Sequence, residues 1–363
     1  RGRLAPLPDP QQRALATIWL SHFERRQTAE FSPGPPLPSP AVETRVAAFF
    51  GELRRAGALV GLAGTPLLLS GLISLHLRQV TLPRSRFQAY EELVQLLLEV
   101  HPSRRAQAAL DRTSRYKVMV DATGRKEALA FFAYEKRLRG FDAGCPINVA
   151  AKIVADRLES MDGAGMPRPD ALAGARELIV VGAEATGLIV ERAPQEIGFV
   201  HAVFEEALAG QYLGSLPLDD QLAFVREHSS DARWTTSILA MIHSFSRPSD
   251  ADAIVRAIHD RPVDPANAPV QKTLIAEAIF GDFKCSLRVI RELAPAFYEA
   301  VAQDGWMPYR RRLLRNIVEA AASGRSGVEV QAQARCWFPD PQPYRESIYS
   351  ALKGWPEPEA LEL

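Results

Sequence analysis

Cysteine is scarce in this chain: three in 363 residues, at Cys145, Cys285 and Cys336, far apart and odd in number. That argues against a disulfide framework and a clustered zinc site, and it fits a reducing, cytoplasmic location. An excess of charge is also lacking, since 43 Lys and Arg balance 43 Asp and Glu. Nothing in that balance demands a polyanion as partner. There is no G-x-x-x-x-G-K-[ST] phosphate loop, no G-x-G-x-x-G after a strand, no H-E-x-x-H and no C-x-x-C, so no catalytic centre is visible. Gly324-Arg325-Ser326-Gly327 resembles a nucleophile elbow superficially but lacks the G-x-S-x-G spacing and a preceding strand, and reads as a loop. An initiator Met, a signal peptide and a transit segment are missing too. With Arg1 as its first residue, the chain is expected to begin inside a longer protein.

Hydrophobic residues make up 47% and charged residues 24%, the composition of a globular protein of roughly two to three domains. The uncharged stretch Ala58–Leu77 is nominally long enough to span a bilayer. It is broken by Gly64-Thr65-Pro66 and carries Ser70, Gly71, Ser74 and His76, so a buried helix starting at about Pro66 is the better reading and no membrane is expected.

Periodicity is helical nearly throughout. Asp9-Pro10 opens a helix with Leu15, Ile18, Trp19 and Phe23 on its apolar face. The Pro-rich segment Phe31–Pro40 reads as an extended connection, and Ser39-Pro40 starts a helix facing inward through Val42, Val46, Phe49, Phe50 and Leu53. Ser85 and Gln88 have capping-box spacing before the face Phe87, Tyr90, Leu93, Val94, Leu97 and Leu98. Helices follow at Lys126–Arg139, closed by Gly140, and at Asn148–Arg157. The period then switches to two: Gly187–Glu191, a four-residue turn Arg192–Gln195 and Glu196–His201 form a hairpin, followed by a helix at Ala202–Leu213. Helices followed by one hairpin predict a winged-helix unit. Beyond Gly214 only helices are expected, with Trp234, Trp306 and Trp337 each preceding an apolar run, as in an irregular solenoid.

Candidate ligands are few. His201 and Glu205 stand at i and i+4 but lack a third metal ligand nearby. Arg310-Arg311-Arg312 with Arg315, Arg104-Arg105, and Lys136-Arg137 with Arg139 are basic clusters of the kind that usually form solvated helix faces, so nucleic acid is a disfavoured partner.

The order of segments carries more. Gly64-Thr65-Pro66-Leu67-Leu68-Leu69, the helix after Leu82-Pro83 with Tyr90-Glu91-Glu92-Leu93, then Gly187-Leu188-Ile189-Val190-Glu191, Phe199-Val200-His201 and Phe204-Glu205-Glu206 resemble the NACHT family of STAND signalling ATPases, relatives of animal inflammasome receptors and bacterial antiviral sensors. The resemblance covers about residues 1–214. It implies binding of ADP or ATP, with Mg²⁺ only when a P-loop half is present upstream. Pro66 of the G-x-P element would lie against the adenine, and His201 would reach the β-phosphate of ADP and hold a closed state. The chemistry suits those residues: proline offers a flat apolar edge without an N–H, and imidazole can donate a hydrogen bond to phosphate. The family's aromatic-Gln-Glu appears here as Phe204-Glu205-Glu206, which sets an added carboxylate near the expected phosphate.

The expected architecture is mainly α. It comprises 1–40 as the edge of a nucleotide domain with a Pro-rich linker, 41–125 as a helical domain with the G-x-P element, 126–214 as a winged-helix domain, and 215–363 as a helical sensor array. The resemblance implies as partners an upstream nucleotide-binding domain, an activating ligand, protein or otherwise, on the C-terminal helices, and further copies of the chain on activation. The alternatives are a non-enzymatic helical scaffold that binds a protein and a winged-helix DNA-binding protein.

Overall fold

A computed structural model describes residues 6–28, 39–78, 81–83, 85–109, 122–160, 166–281, 284–302 and 332. The Pro-rich 29–38, the 310–315 basic cluster, the 324–327 loop, Trp306, Cys336 and Trp337 lie outside them. The fold is mainly α, and the chain divides into two compact units, Arg1–Leu96 and Leu97–Leu363.

In the first unit, α1 (Asp9–Thr28) packs on α2 (Pro40–Arg55) and α4 (Pro66–His76), with the single turn α3 (Val60–Ala63) leading into α4. Helix α2 starts where its cap chemistry dictates: Val42 N–H donates to Ser39 Oγ at 3.2 Å and Pro40 occupies the first turn. All five of its expected core residues are buried. Helix α1 departs from expectation. Ala16 and Leu20 face inward, whereas Ile18 is 53% and Trp19 42% exposed. Alanine at 16 presents a low surface where two helices crowd against α1, and the bulky residues fall to the flank. In α4, Leu68, Leu69, Leu72, Ile73 and Leu75 are buried. His76 Nδ1 lies 2.7 Å from Glu52 Oε2, and the other oxygen of that carboxylate accepts the Leu82 N–H at 2.8 Å, so α2 holds the chain leaving α4. The capping box of α5 (Arg86–Ala109) is half formed. Ser85 Oγ accepts from the Phe87 N–H, but the Gln88 amide turns forward to Glu92.

The second unit begins with α6 (Ala122–Leu138), β1 (Cys145–Pro146), α7 (Ile147–Ser160) and α8 (Arg168–Thr186), continues through β2 (Ile189–Ala193) and β3 (Glu196–Phe199), and enters α9 (Ala202–Ser215). The strands form an antiparallel sheet in the order β1-β3-β2. One helix, a short strand, two helices and a hairpin whose second strand sits in the middle is the arrangement of a winged helix. Strand β1 was not expected, because two residues are too few to show a period. The hairpin turn is also tighter than its spacing suggests: Ala193 pairs with Glu196, leaving Pro194-Gln195 as a two-residue loop with Gln195 at φ 63°. Phe132 of α6 stacks on Phe199 of β3 with ring centroids 5.7 Å apart, joining the helical and strand layers.

Beyond α9 come α10 (Leu218–His228), α11 (Thr235–Ser244), α12 (Pro248–His259), α13 (Ala268–Phe280) and α14 (Leu287–Ala302). Two glutamines tie the turns of this array. Gln221 Nε2 donates to the carbonyls of Gly214 and Leu216, and Gln271 Nε2 to those of Ile258 and Arg261. Helices α9 and α11 approach each other closely. A Cβ on Gly210 would collide with the Ser237 carbonyl and lie 2.5 Å from Ala240 Cβ, so only a glycine fits. Gly210→Ala is therefore expected to destabilise this unit by about 1–3 kcal/mol through overpacking. Urea denaturation should show a lower midpoint at unchanged slope.

Candidate functional site

Pro66 lies in the first unit and His201 in the second. In the loop that carries Pro66, the Gly64 carbonyl accepts the Leu7 N–H at 2.8 Å, and a Cβ on Gly64 would stand 3.0 Å from Pro6 Cβ. The segment before α1 thus lies against the loop and favours glycine at 64. Thr65 is extended at φ −107° and makes no side-chain cap, which leaves Pro66 to begin α4. Pro66 and Leu67 are both exposed. The ring of Pro66 sets the first turn of α4 and is accessible to solvent.

His201 sits between β3 and α9. Its backbone is extended at φ −143° and ψ 141°, and its Nδ1 accepts the Val203 N–H at 3.2 Å. An imidazole thus does what Ser, Asp or Asn usually does at a helix start. Burial, and secondarily the cation of Arg192, hold its pKa below the ordinary 6.5. A neutral ring that accepts at Nδ1 carries its proton on Nε2. The ring therefore keeps one directional donor for a partner outside the cap.

Glu205, one turn further along α9, does not face that donor. It is buried, with Oε2 at 2.9 Å from Lys136 Nζ and Oε1 at 3.3 Å from an Arg137 guanidinium nitrogen. Lys136 is wholly buried and also donates to the Phe141 carbonyl. The expectation that Lys136 and Arg137 belong to a solvated basic face is corrected here. On α6 the buried residues Leu129, Phe132 and Ala133 define a stripe whose next position is 136, so the lysine enters the core and requires a carboxylate there. Arg137 covers the outer edge of the pair. It donates to the Arg233 carbonyl, lies 5.4 Å from the Trp234 ring centroid and is 3.8 Å from Glu206. Tyr134, Tyr212, Phe224 and His228 complete an aromatic cluster around Trp234.

These partners bear on the phosphate question. The carboxylate that the family resemblance sets near an expected phosphate is matched by two cations, so its charge is largely cancelled. The group at the β3–α9 junction, a neutral imidazole donor with a guanidinium near it, fits a phosphoryl oxygen. Among the described residues no cluster of three or more His, Cys, Asp or Glu could hold a metal. The thiols of Cys145 and Cys285 are pushed up by burial to about 11 and about 12, which keeps both protonated and poor as nucleophiles. A shallow cavity of about 190 Å³ opens beside Arg137, Asp142, Glu206, Arg233 and Trp234, smaller than a nucleotide site requires.

The Lys136–Glu205 pair spans 69 positions and has no local spacing signature. Arg192 was equally hidden, because its position depends on strand register. Lys136→Met would leave Glu205 with a single, longer contact and is expected to cost about 3–5 kcal/mol. The double change Lys136→Met with Glu205→Leu should recover most of that loss in the same denaturation assay. Arg192→Gln removes the cation beside His201, so the histidine's titration midpoint by NMR should rise toward 6.5 without reaching it, since burial remains. No family model, no curated protein and no solved structure matches this chain.

Proposed function

We propose that the chain is the regulatory and sensing portion of a NACHT-type, nucleotide-switched signalling ATPase. In this reading it works beside a P-loop domain outside these 363 residues, in the cytoplasm. His201 contacts the β-phosphate of ADP through Nε2–H and stabilises a closed state, while Pro66 borders the adenine. Exchange for ATP, promoted by a ligand on the C-terminal helices, removes that contact and frees a surface for self-association. The observation that carries the reading is the histidine at the β3–α9 junction, kept neutral and held by the Val203 N–H so that its remaining nitrogen is a donor. The ion-paired Glu205 supports it, because the residue that departs from the family pattern is occupied elsewhere. No helix among the described residues is long and apolar enough to cross a membrane.

A helical scaffold that binds a protein is the second reading, favoured by the successive packing of α12, α13 and α14 without a catalytic group. Binding to DNA draws no support from α8, the helix a winged-helix reader would set in the major groove. That helix carries two arginines against three carboxylates, and Arg168 is bonded to Asp156 and Glu159.

The deciding measurement is ADP retention by the protein joined to its P-loop domain. His201→Ala should release ADP about 10-fold faster or more, the effect of losing one hydrogen bond to a charged group. His201→Asn should do nearly the same, since asparagine restores the helix cap but not the longer reach. Unchanged retention in both variants would overturn the assignment, and a scaffold would show no nucleotide dependence at all.

A further inference from the structure

The β2–β3 hairpin contains one cation, and its irregular register makes room for it. Pairing passes from Glu191 opposite Ile197 to Ala193 opposite Glu196, so Arg192 is the extra residue of a bulge. A bulge turns its side chain away from the alternation of the strand. Here Arg192 lies across Gly198: a Cβ at 198 would stand 2.8 Å from the Ala143 carbonyl oxygen, 3.1 Å from Arg192 Cγ and 3.3 Å from its Nε. Glycine at 198 is the slot through which the arginine passes. The guanidinium then donates to the carbonyl of Phe199, two residues before His201 on the same strand end. One N–H is used there, and the fork has further donors.

The hairpin's carboxylates make no ion pair with it: Glu191 Oε1 accepts the Gln195 N–H at 3.3 Å, and Glu196 lies against Gly144, which Arg192 Cβ also flanks. Among the described residues Arg192 forms no ion pair, in contrast to Lys136 and Arg137, whose charges are committed to Glu205. Its field reaches His201, where it adds to the effect of burial in keeping the ring neutral. A bulge, a glycine slot and a carbonyl anchor together set a guanidinium that forms no ion pair among the described residues near His201.

We infer that Arg192 and His201 form a two-residue grip for the diphosphate of an adenine nucleotide, Arg192 supplying permanent charge and His201 Nε2–H the directional bond. This rests on the nucleotide reading above and adds to it a second phosphate-binding residue. A guanidinium suits the task because it stays charged at any physiological pH.

Inorganic pyrophosphate tests the grip directly on the 363-residue chain. With histidine labelled at ¹³Cε1, and the His201 signal assigned from His201→Asn, pyrophosphate should move that signal saturably at constant ionic strength. Arg192→Gln should raise the half-saturating concentration about threefold or more, the scale of an exposed ion contact. Arg192→Lys keeps the charge and should stay within about twofold of the parent. An unchanged half-saturation in Arg192→Gln would overturn the inference. So would equal losses in the Gln and Lys variants, which would mark Arg192 as an anchor for Phe199 alone. A shift reproduced by sodium chloride, or a stronger response to duplex DNA than to pyrophosphate, would overturn it as well. Failure of the nucleotide reading is told apart by the ADP experiment. There His201 variants would retain ADP normally, whatever pyrophosphate does at the hairpin.

Discussion

The buried pair of Lys136 and Glu205 is the constraint on which the winged-helix unit is built. Each charge is tolerable in the core only because the other is there, and each is given further partners: the Phe141 carbonyl for the ammonium and Arg137 for the carboxylate. The pair fixes the rotation of α9 against α6. His201 caps α9 one turn before Glu205, so the pair holds the element from which the histidine projects. Polar burial of this kind gives less net stability than apolar packing would, but it penalises any register in which the two charges fail to meet. The candidate site thus depends on an interaction that does not involve His201 itself.

Arg137 extends that constraint outward. Its guanidinium bonds to Glu205, lies over the Trp234 ring and reaches the Arg233 carbonyl, so one side chain contacts α6's partner helix and the turn that opens α11. Tyr134, Phe224 and His228 crowd the same tryptophan. The hydrophobic bulk at this junction is aromatic and the two terminal nitrogens of Arg137 are bonded to different elements, which limits how far those elements can slide without losing several interactions together.

Much of the fold was legible because its signals are local. Ser39 and Pro40 mark the start of α2, Gly140 at φ 75° stops α6, and the change of period at Gly187 announces the hairpin. What escaped reading is non-local or too short. β1 spans two residues, and the inward face of α1 was decided by which side two neighbours approach. The bulge at Arg192 is a property of pairing between strands. His201 could be singled out as a residue, but its tautomer and its cap to Val203 depend on the backbone around it. Lys136 is the instructive case: its place in the helical stripe of α6 pointed inward, while its charge and its basic neighbours pointed outward. The stripe prevailed because a carboxylate 69 positions away met it.

The close approach of α9 and α11 has a consequence for descent. At Gly210 the neighbouring carbonyl and methyl groups occupy the place where any other residue's Cβ would be, and at Gly214 the Ser244 hydroxyl does the same. Two glycines one turn apart weaken a helix by about 1 kcal/mol each, so drift toward alanine would be favoured if the crossing were absent. A related chain that keeps this geometry must keep glycine at 210, where backbone stands in the way, whereas at 214 the Ser244 hydroxyl can rotate aside. One that has replaced Gly210 has moved the two helices apart, and that position is therefore a written record of the distance between them.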